Sequence, residues 1–247
     1  MRNIWTIANR EYKLYFASPI AYILAFVTFL ALGGYFFLNI YYTTQSGGQA
    51  PPPGVDIVTG LLVFLLVFIS PALTMRLLSE EQRLGTLELL LTAPLRDWEL
   101  VVGKWLGAFL FMLTLIAVTF IYPIVLNLMV KPGIDQGPLL TGYLGLLLVS
   151  AVFLAIGVMV SSFFSNQVAS YVTTFGILFV FWWILRITSQ VVGAAGGGAL
   201  TYLDFSGHFY NTLLSGVIEI GDLVYYLSVT ALALFIGTMS VEMRRWR

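Results

Sequence analysis

Six separate stretches of this chain are long and apolar enough to cross a lipid bilayer. They cover residues 20–40, 57–78, 100–129, 139–164, 168–185 and 223–241. About 20 helical residues span a hydrocarbon core of about 30 Å. Because no water is available there to bond peptide groups, a helix that satisfies its own backbone is the state such runs must adopt. In the second run Leu, Ile, Val and Phe hold 14 positions, which favours insertion by about 4–8 kcal/mol. The third run is too long for one straight crossing. Either its first residues lie in the interface, or the helix bends at Pro123, whose missing N–H removes one backbone bond; Pro71 offers the second run the same break. With 59% hydrophobic and 10% charged residues, against about a quarter charged in soluble domains, the expected fold is an all-α integral membrane protein. A single transmembrane domain spans 1–247.

The charges are few, and their placement is informative. Arg2, Arg10, Lys13, Arg76, Arg83, Arg96, Lys104, Arg244, Arg245 and Arg247 fall on one side of the six-span arrangement, against Lys131 and Arg186 on the other. The excess of basic residues puts both termini and the segment between spans two and three in the cytoplasm. The first apolar run begins about 20 residues in, with no clean small-residue cleavage pattern after it, and is expected to be retained as a span. A formal net charge of zero gives no reason to expect nucleic acid as a partner. The chain has no cysteine and one histidine, which excludes a disulfide framework, a thiolate metal site and a cysteine nucleophile.

Residues 1–16 form an amphipathic helix on paper. Arg2, Asn3, Thr6, Asn9, Arg10 and Lys13 share an arc of about 120° at helical spacing, while Ile4, Trp5, Ile7, Ala8, Tyr12, Leu14, Tyr15 and Phe16 occupy the rest. This pattern fits an interfacial helix lying flat on the inner leaflet, with Arg10, Glu11 and Lys13 as its candidate functional residues. Glu11 projects from the middle of the apolar face and requires a cationic or hydrogen-bonding partner there. A plain membrane anchor is the simpler alternative.

The segment 79–94 is polar and lies between two apolar runs. Ser79 followed by Gln82 fits a capping box and Pro94 ends the segment, so about four helical turns are expected at the membrane surface. Leu84, Leu87 and Leu91 would form an edge seated on the spans. Glu80, Glu81, Arg83 and Glu88 would face a soluble partner, and Gly85 would admit close approach of another backbone. A capped inter-span loop without further role is the alternative reading.

Glu81, Gly85, Thr86, Leu87, Glu88, Leu90 and Pro94 reproduce the pattern E-x-x-x-G-T-L-E-x-L-x-x-x-P, and on it the chain resembles ABC-2 type transporter permeases, nearest the gliding-motility-associated and copper-processing type. The stretch from Arg10 to Tyr22 is similar to the surface helix and first-span entry of that family. The resemblance implies the permease subunit of an ATP-driven exporter in the inner membrane of a prokaryote. It also implies a cytoplasmic coupling helix at 79–94, where Glu80, Glu81, Arg83, Gly85, Thr86, Leu87, Glu88 and Pro94 meet a separate P-loop ATPase present in two copies. The permease itself would pair as a homodimer or a heterodimer among membrane lipids. ATP and Mg would be held by the ATPase, with no cofactor on this chain and no enzymatic activity of its own. Consistent with this, no G-x-x-x-x-G-K-[ST] occurs: Gly103-Lys104 is followed by Trp105 and cannot build a phosphate-cradling loop. The resemblance further implies short re-entrant helices in the external region 186–222, with Phe209 to Ile220 as the candidate.

Two other classes compete. An ion- or proton-driven carrier would need ionisable residues inside the spans, where Asn127, Ser and Thr supply most of the polarity. A non-transporting structural subunit would show no ATPase coupling. An intramembrane serine protease is disfavoured, since the one histidine, His208, lies outside the spans and no G-x-S-x-G is present. His208 reads as a locally bonded loop residue and Arg186 as a cation reaching the outer interface. Tyr122, Tyr171, Trp182 and Trp183 read as interface anchors or as residues lining a path.

Overall fold

The protein is described from a computed structural model, which covers residues 2–47, 53–86, 96–131, 133–192 and 197–245. Leu87, Glu88, Leu90, Leu91 and Pro94 lie outside the described residues. The described chain is helical throughout, without a strand. In order come α1 (Arg2–Ala17), α2 (Pro19–Gln45), α3 (Asp56–Thr74), α4 (Ser79–Leu84), α5 (Asp97–Thr119), α6 (Ile121–Met129), α7 (Gln136–Phe163) and α8 (Gln167–Phe179). A single π-helical turn, Val180–Ile184, leads into α9 (Leu185–Val192), followed by α10 (Gly197–Leu203), α11 (Phe205–Tyr210), a 3₁₀ turn (Leu213–Ser215) and α12 (Ile220–Arg245). Six helical stretches are long and apolar enough to cross a membrane, and they coincide with the six apolar runs read from the sequence.

The fold is built around α7. It is the most buried of the spans and packs on α3, α5, α8 and α12, which explains why its sequence is apolar on every side. Small residues let its neighbours approach: a Cβ on Gly157 would sit 2.0 Å from Thr74 Oγ1, and one on Gly145 would sit 2.9 Å from the Phe209 ring. Close helix contact of this kind supplies the dispersion that holds spans together where lipid removes the hydrophobic drive.

The overlong third run resolves at its proline. The helix breaks at Phe120, between α5 and α6, leaving the Thr119 carbonyl without the amide that Pro123 lacks. Tyr143 Oη on α7 donates to that carbonyl at 3.1 Å, so a side chain on the central helix replaces the missing bond. Tyr143→Phe is expected to lower stability by about 1–2 kcal/mol, the cost of a stranded buried acceptor, measured as a drop in the detergent-solubilised unfolding midpoint. Span two behaves differently, because α3 passes through Pro71 and stops at Thr74, and a turn then leads to α4.

Span five runs beyond its expected end at 185, because the π turn carries the helix on to Val192. That turn sends Trp182 into the core at 2% exposure, while Trp183 packs on Phe64 and Phe179. Trp182 is therefore a core residue and not an interface anchor. After it, short helices form at 197–203 and 205–210, earlier than the candidate at 209–220, and residues 216–219 are not helical. Phe205, Phe209 and Leu213 are fully buried. Backbone groups here find partners within the protein: Tyr225 Oη donates to Leu203 O and Tyr226 Oη to Phe205 O, while Asp204 caps α11 through the Ser206 amide. His208 is locally bonded, with Nδ1 2.6 Å from Asp222 Oδ1 and Nε2 2.9 Å from Tyr202 O. Arg186 lies over the Tyr210 ring, 5.3 Å from its centre.

Candidate coupling site

Helix α1 reaches the site along α5. Their contacts advance in register, from Asn3 Nδ2 on Glu99 Oε2 at 3.1 Å to Tyr12 Oη on Thr114 Oγ1 at 3.1 Å, so the two helices run side by side in the same direction. The helix expected to lie flat on lipid is thus seated lengthwise on the start of the third span. Glycines four apart permit this. A Cβ on Gly103 would meet Ile7 Cβ at 2.8 Å, and one on Gly107 would meet Glu11 Cβ at 2.6 Å and the Ala8 carbonyl at 2.9 Å. The apolar face of α1 consequently divides. Ala8, Glu11 and Tyr15 are buried, whereas Trp5, Leu14 and Phe16 remain exposed and available to lipid. Arg10 and Lys13 are exposed.

Glu11 has the partner its position demanded. Lys104 Nζ lies 2.9 Å from Glu11 Oε1 and 2.8 Å from Glu81 Oε1. Lys104 is only 2% exposed, so three charges from α1, α4 and α5 meet almost out of water, where an unpaired charge would be untenable. Lys104 sits inside α5 and is neutralised in place. The asymmetry of the remaining basic residues does not depend on it.

Of the polar segment expected as a four-turn capped helix over 79–94, residues 79–86 are described and the remainder lies outside the described residues. Helix α4 stops at Leu84, because Gly85 takes a left-handed φ of 70°, the usual helix C-cap conformation for glycine. No capping box forms: Ser79 is inside the first turn, its hydroxyl donating to the Met75 carbonyl. Gln82 reaches away, donating from Nε2 to the Ser162 carbonyl at 2.7 Å. Ser161 Oγ on α7 accepts from the amides of both Leu78 and Ser79 at 3.0 Å, filling the cap role from another helix. Leu84, expected on a seated edge, is 61% exposed.

The outcome is a short helix clamped to α5 through Glu81 and Lys104, whose ammonium also holds Glu11 of α1, and to α7 through Gln82 and the α4 N-terminal amides. Of its charged residues, Glu81 turns inward. Glu80 and Arg83 remain outward in a loose pair at 4.0 Å, and Thr86 follows the Gly85 cap. Nearby, Arg76 lies 5.1 Å from the centre of the Tyr15 ring and donates to Ser18 Oγ at 3.0 Å. Burial pushes the Tyr15 phenol above its ordinary pKa, and its hydroxyl donates to the Leu73 carbonyl at 2.9 Å. A movement of α4 would therefore reach three spans and α1. Sequence reasoning flagged Glu11 and Glu81 separately; it missed Lys104, Ser161 and Ser162, whose only signal was polarity near a span end.

This architecture defines a polytopic helical membrane protein with a short polar helix braced against its spans. Residues 10–241 match the family described as ABC-2 family transporter protein, and the chain belongs to that family. No curated protein matches it in sequence. Family membership makes it a transmembrane permease of an ABC transporter, and permeases of this family work with an ATPase subunit.

Proposed function

We propose that this chain is the permease subunit of an ATP-driven exporter, and that α4 with the residues after it receives the force of a separate P-loop ATPase. The observation that carries this reading is the clamp on α4. A helix of six residues has little stability of its own, yet this one is tied to α5 and α7, and through Lys104 to α1, while presenting Glu80 and Arg83 outward. Nucleotide-driven closure of two ATPase subunits would push α4, tilt spans two and three through Glu81–Lys104, and open a path between two permease copies. The two spans with most of their apolar surface outside the fold, α2 and the α8–α9 span, are where a second copy would pack, whether identical or related. Both termini would be cytoplasmic, in the inner membrane of a prokaryote. Assignment to the gliding-motility-associated and copper-processing type rests on the motif from Glu81 to Pro94 alone.

Arg83→Glu and Glu88→Lys are the variants that test it. Each is expected to leave insertion and thermal stability unchanged while lowering permease-stimulated ATPase activity of the reconstituted complex at least about tenfold, the worth of one contact of about 1.4 kcal/mol. Full stimulation in both variants would remove α4 from the coupling route.

A further inference from the structure

Between α1, the α1–α2 elbow, the end of α3 and α4 lies a cavity of about 620 Å³. Arg10 and Arg76 line it, and neither makes an ion pair with a carboxylate among the described residues. Glu81 lines it too. One of its oxygens is taken by Lys104, but Oε2 is buried with no hydrogen-bond donor among the described residues, an arrangement that costs the full desolvation of that atom unless something fills the gap. Leu14 and Leu77 give the same cavity apolar wall. Its depth is set by Ser18 and Arg76, which stand where the first span begins and just past the last turn of α3, the level of lipid headgroups.

We propose that this cavity binds the headgroup of a membrane aminophospholipid. The phosphate would accept from the Arg10 and Arg76 guanidiniums, the primary ammonium would donate to Glu81 Oε2, and the acyl chains would leave past Leu14. A phosphate beside a primary ammonium is the shared chemistry, and the membrane lipid is the source. A quaternary ammonium cannot donate to Glu81, and an anionic glycerol headgroup offers that oxygen no cation. The lipid would thus sit against the Glu81–Lys104–Glu11 cluster.

The test is native mass spectrometry of the purified, delipidated full chain. It is titrated with phosphatidylethanolamine, phosphatidylcholine and phosphatidylglycerol of matched acyl chains, and with soluble glycerophosphoethanolamine as competitor. The expected result is retention of phosphatidylethanolamine about tenfold above the other two, the worth of one charge-assisted hydrogen bond. Glu81→Gln should bring it down to the phosphatidylcholine level. Arg76→Gln and the surface variant Arg10→Gln should weaken all three lipids, and the distant Lys131→Gln should change nothing. Equal retention of the three lipids, a preference that survives Glu81→Gln and both arginine variants, or displacement by the soluble competitor at lipid-equivalent concentration would overturn the proposal. So would loss of bound lipid when the partner ATPase is added, which would make the cavity a protein-docking site.

Discussion

Lys104→Met is expected to be among the most damaging single substitutions in this chain, lowering stability by about 3–5 kcal/mol. Methionine matches the stem of lysine closely, so packing is largely kept and the loss is electrostatic. Glu11 and Glu81 would be left facing each other without their shared cation, in a site where Lys104 is 2% exposed. Stranding a buried charge in this way costs far more than the intact pair gains. Replacing the whole cluster is a different experiment. Glu11→Met, Lys104→Met and Glu81→Met combined should recover stability to within about 1 kcal/mol of the parent, since an apolar isostere of a buried ion cluster is commonly neutral. The triple variant should nevertheless fail to couple, because α4 would lose its tie to α1 and α5. Thermal unfolding in detergent reads the first quantity and stimulated ATPase activity reads the second. A single variant costing under about 1 kcal/mol, or a triple variant with full coupling, would show that the cluster neither bears load nor transmits it.

Gly107→Leu should displace α1 from the third span. The first added carbon would lie 2.9 Å from the Ala8 carbonyl and 2.6 Å from Glu11 Cβ. The backbone contact cannot be relieved by rotating a side chain, so the two helices must separate. Overpacking of this kind costs about 1–3 kcal/mol, and here it would also pull Glu11 away from Lys104, stranding charge as in the previous case. The combined loss is expected to approach that of Lys104→Met. Gly34→Leu is the control: a Cβ there meets nothing within 4 Å, and stability should hold. Unfolding midpoints of the two variants, measured side by side, check the claim; equal midpoints would mean that α1 does not bear on α5 at the glycine pair.

What the sequence showed of this fold was set by solvent. Six apolar runs became six spans because hydrocarbon leaves the backbone no other satisfactory state; of the two prolines that could break a span, Pro123 did, with Tyr143 supplying the missing donor, while α3 passes through Pro71. Glu11 could be recognised as needing a partner from its place on an apolar face. That the partner is Lys104 required the third span and α1 to lie side by side, a tertiary fact set by Gly103 and Gly107 that no local pattern encodes. The capping box at Ser79 was misread for a related reason: the cap exists, but it comes from Ser161, 82 residues away. Helix α4 ends after six residues because Gly85 takes a left-handed φ, a stop that the helical pattern of its neighbours did not announce. The π turn at Val180–Ile184 was equally hidden, since an apolar run carries no signal for a change in helical pitch.

The absence of cysteine from the chain allows the central claim to be tested by site-specific crosslinking in native membranes. Arg83→Cys places one reactive thiol on the outward face of α4, and Lys131→Cys places one at the opposite end of the molecule. The position 83 thiol is expected to crosslink to a P-loop ATPase, more strongly when a nucleotide analogue holds the ATPases closed, and the position 131 thiol to capture none. Crosslinking of the ATPase from position 131 and not from 83 would contradict both the coupling role of α4 and the orientation of the chain.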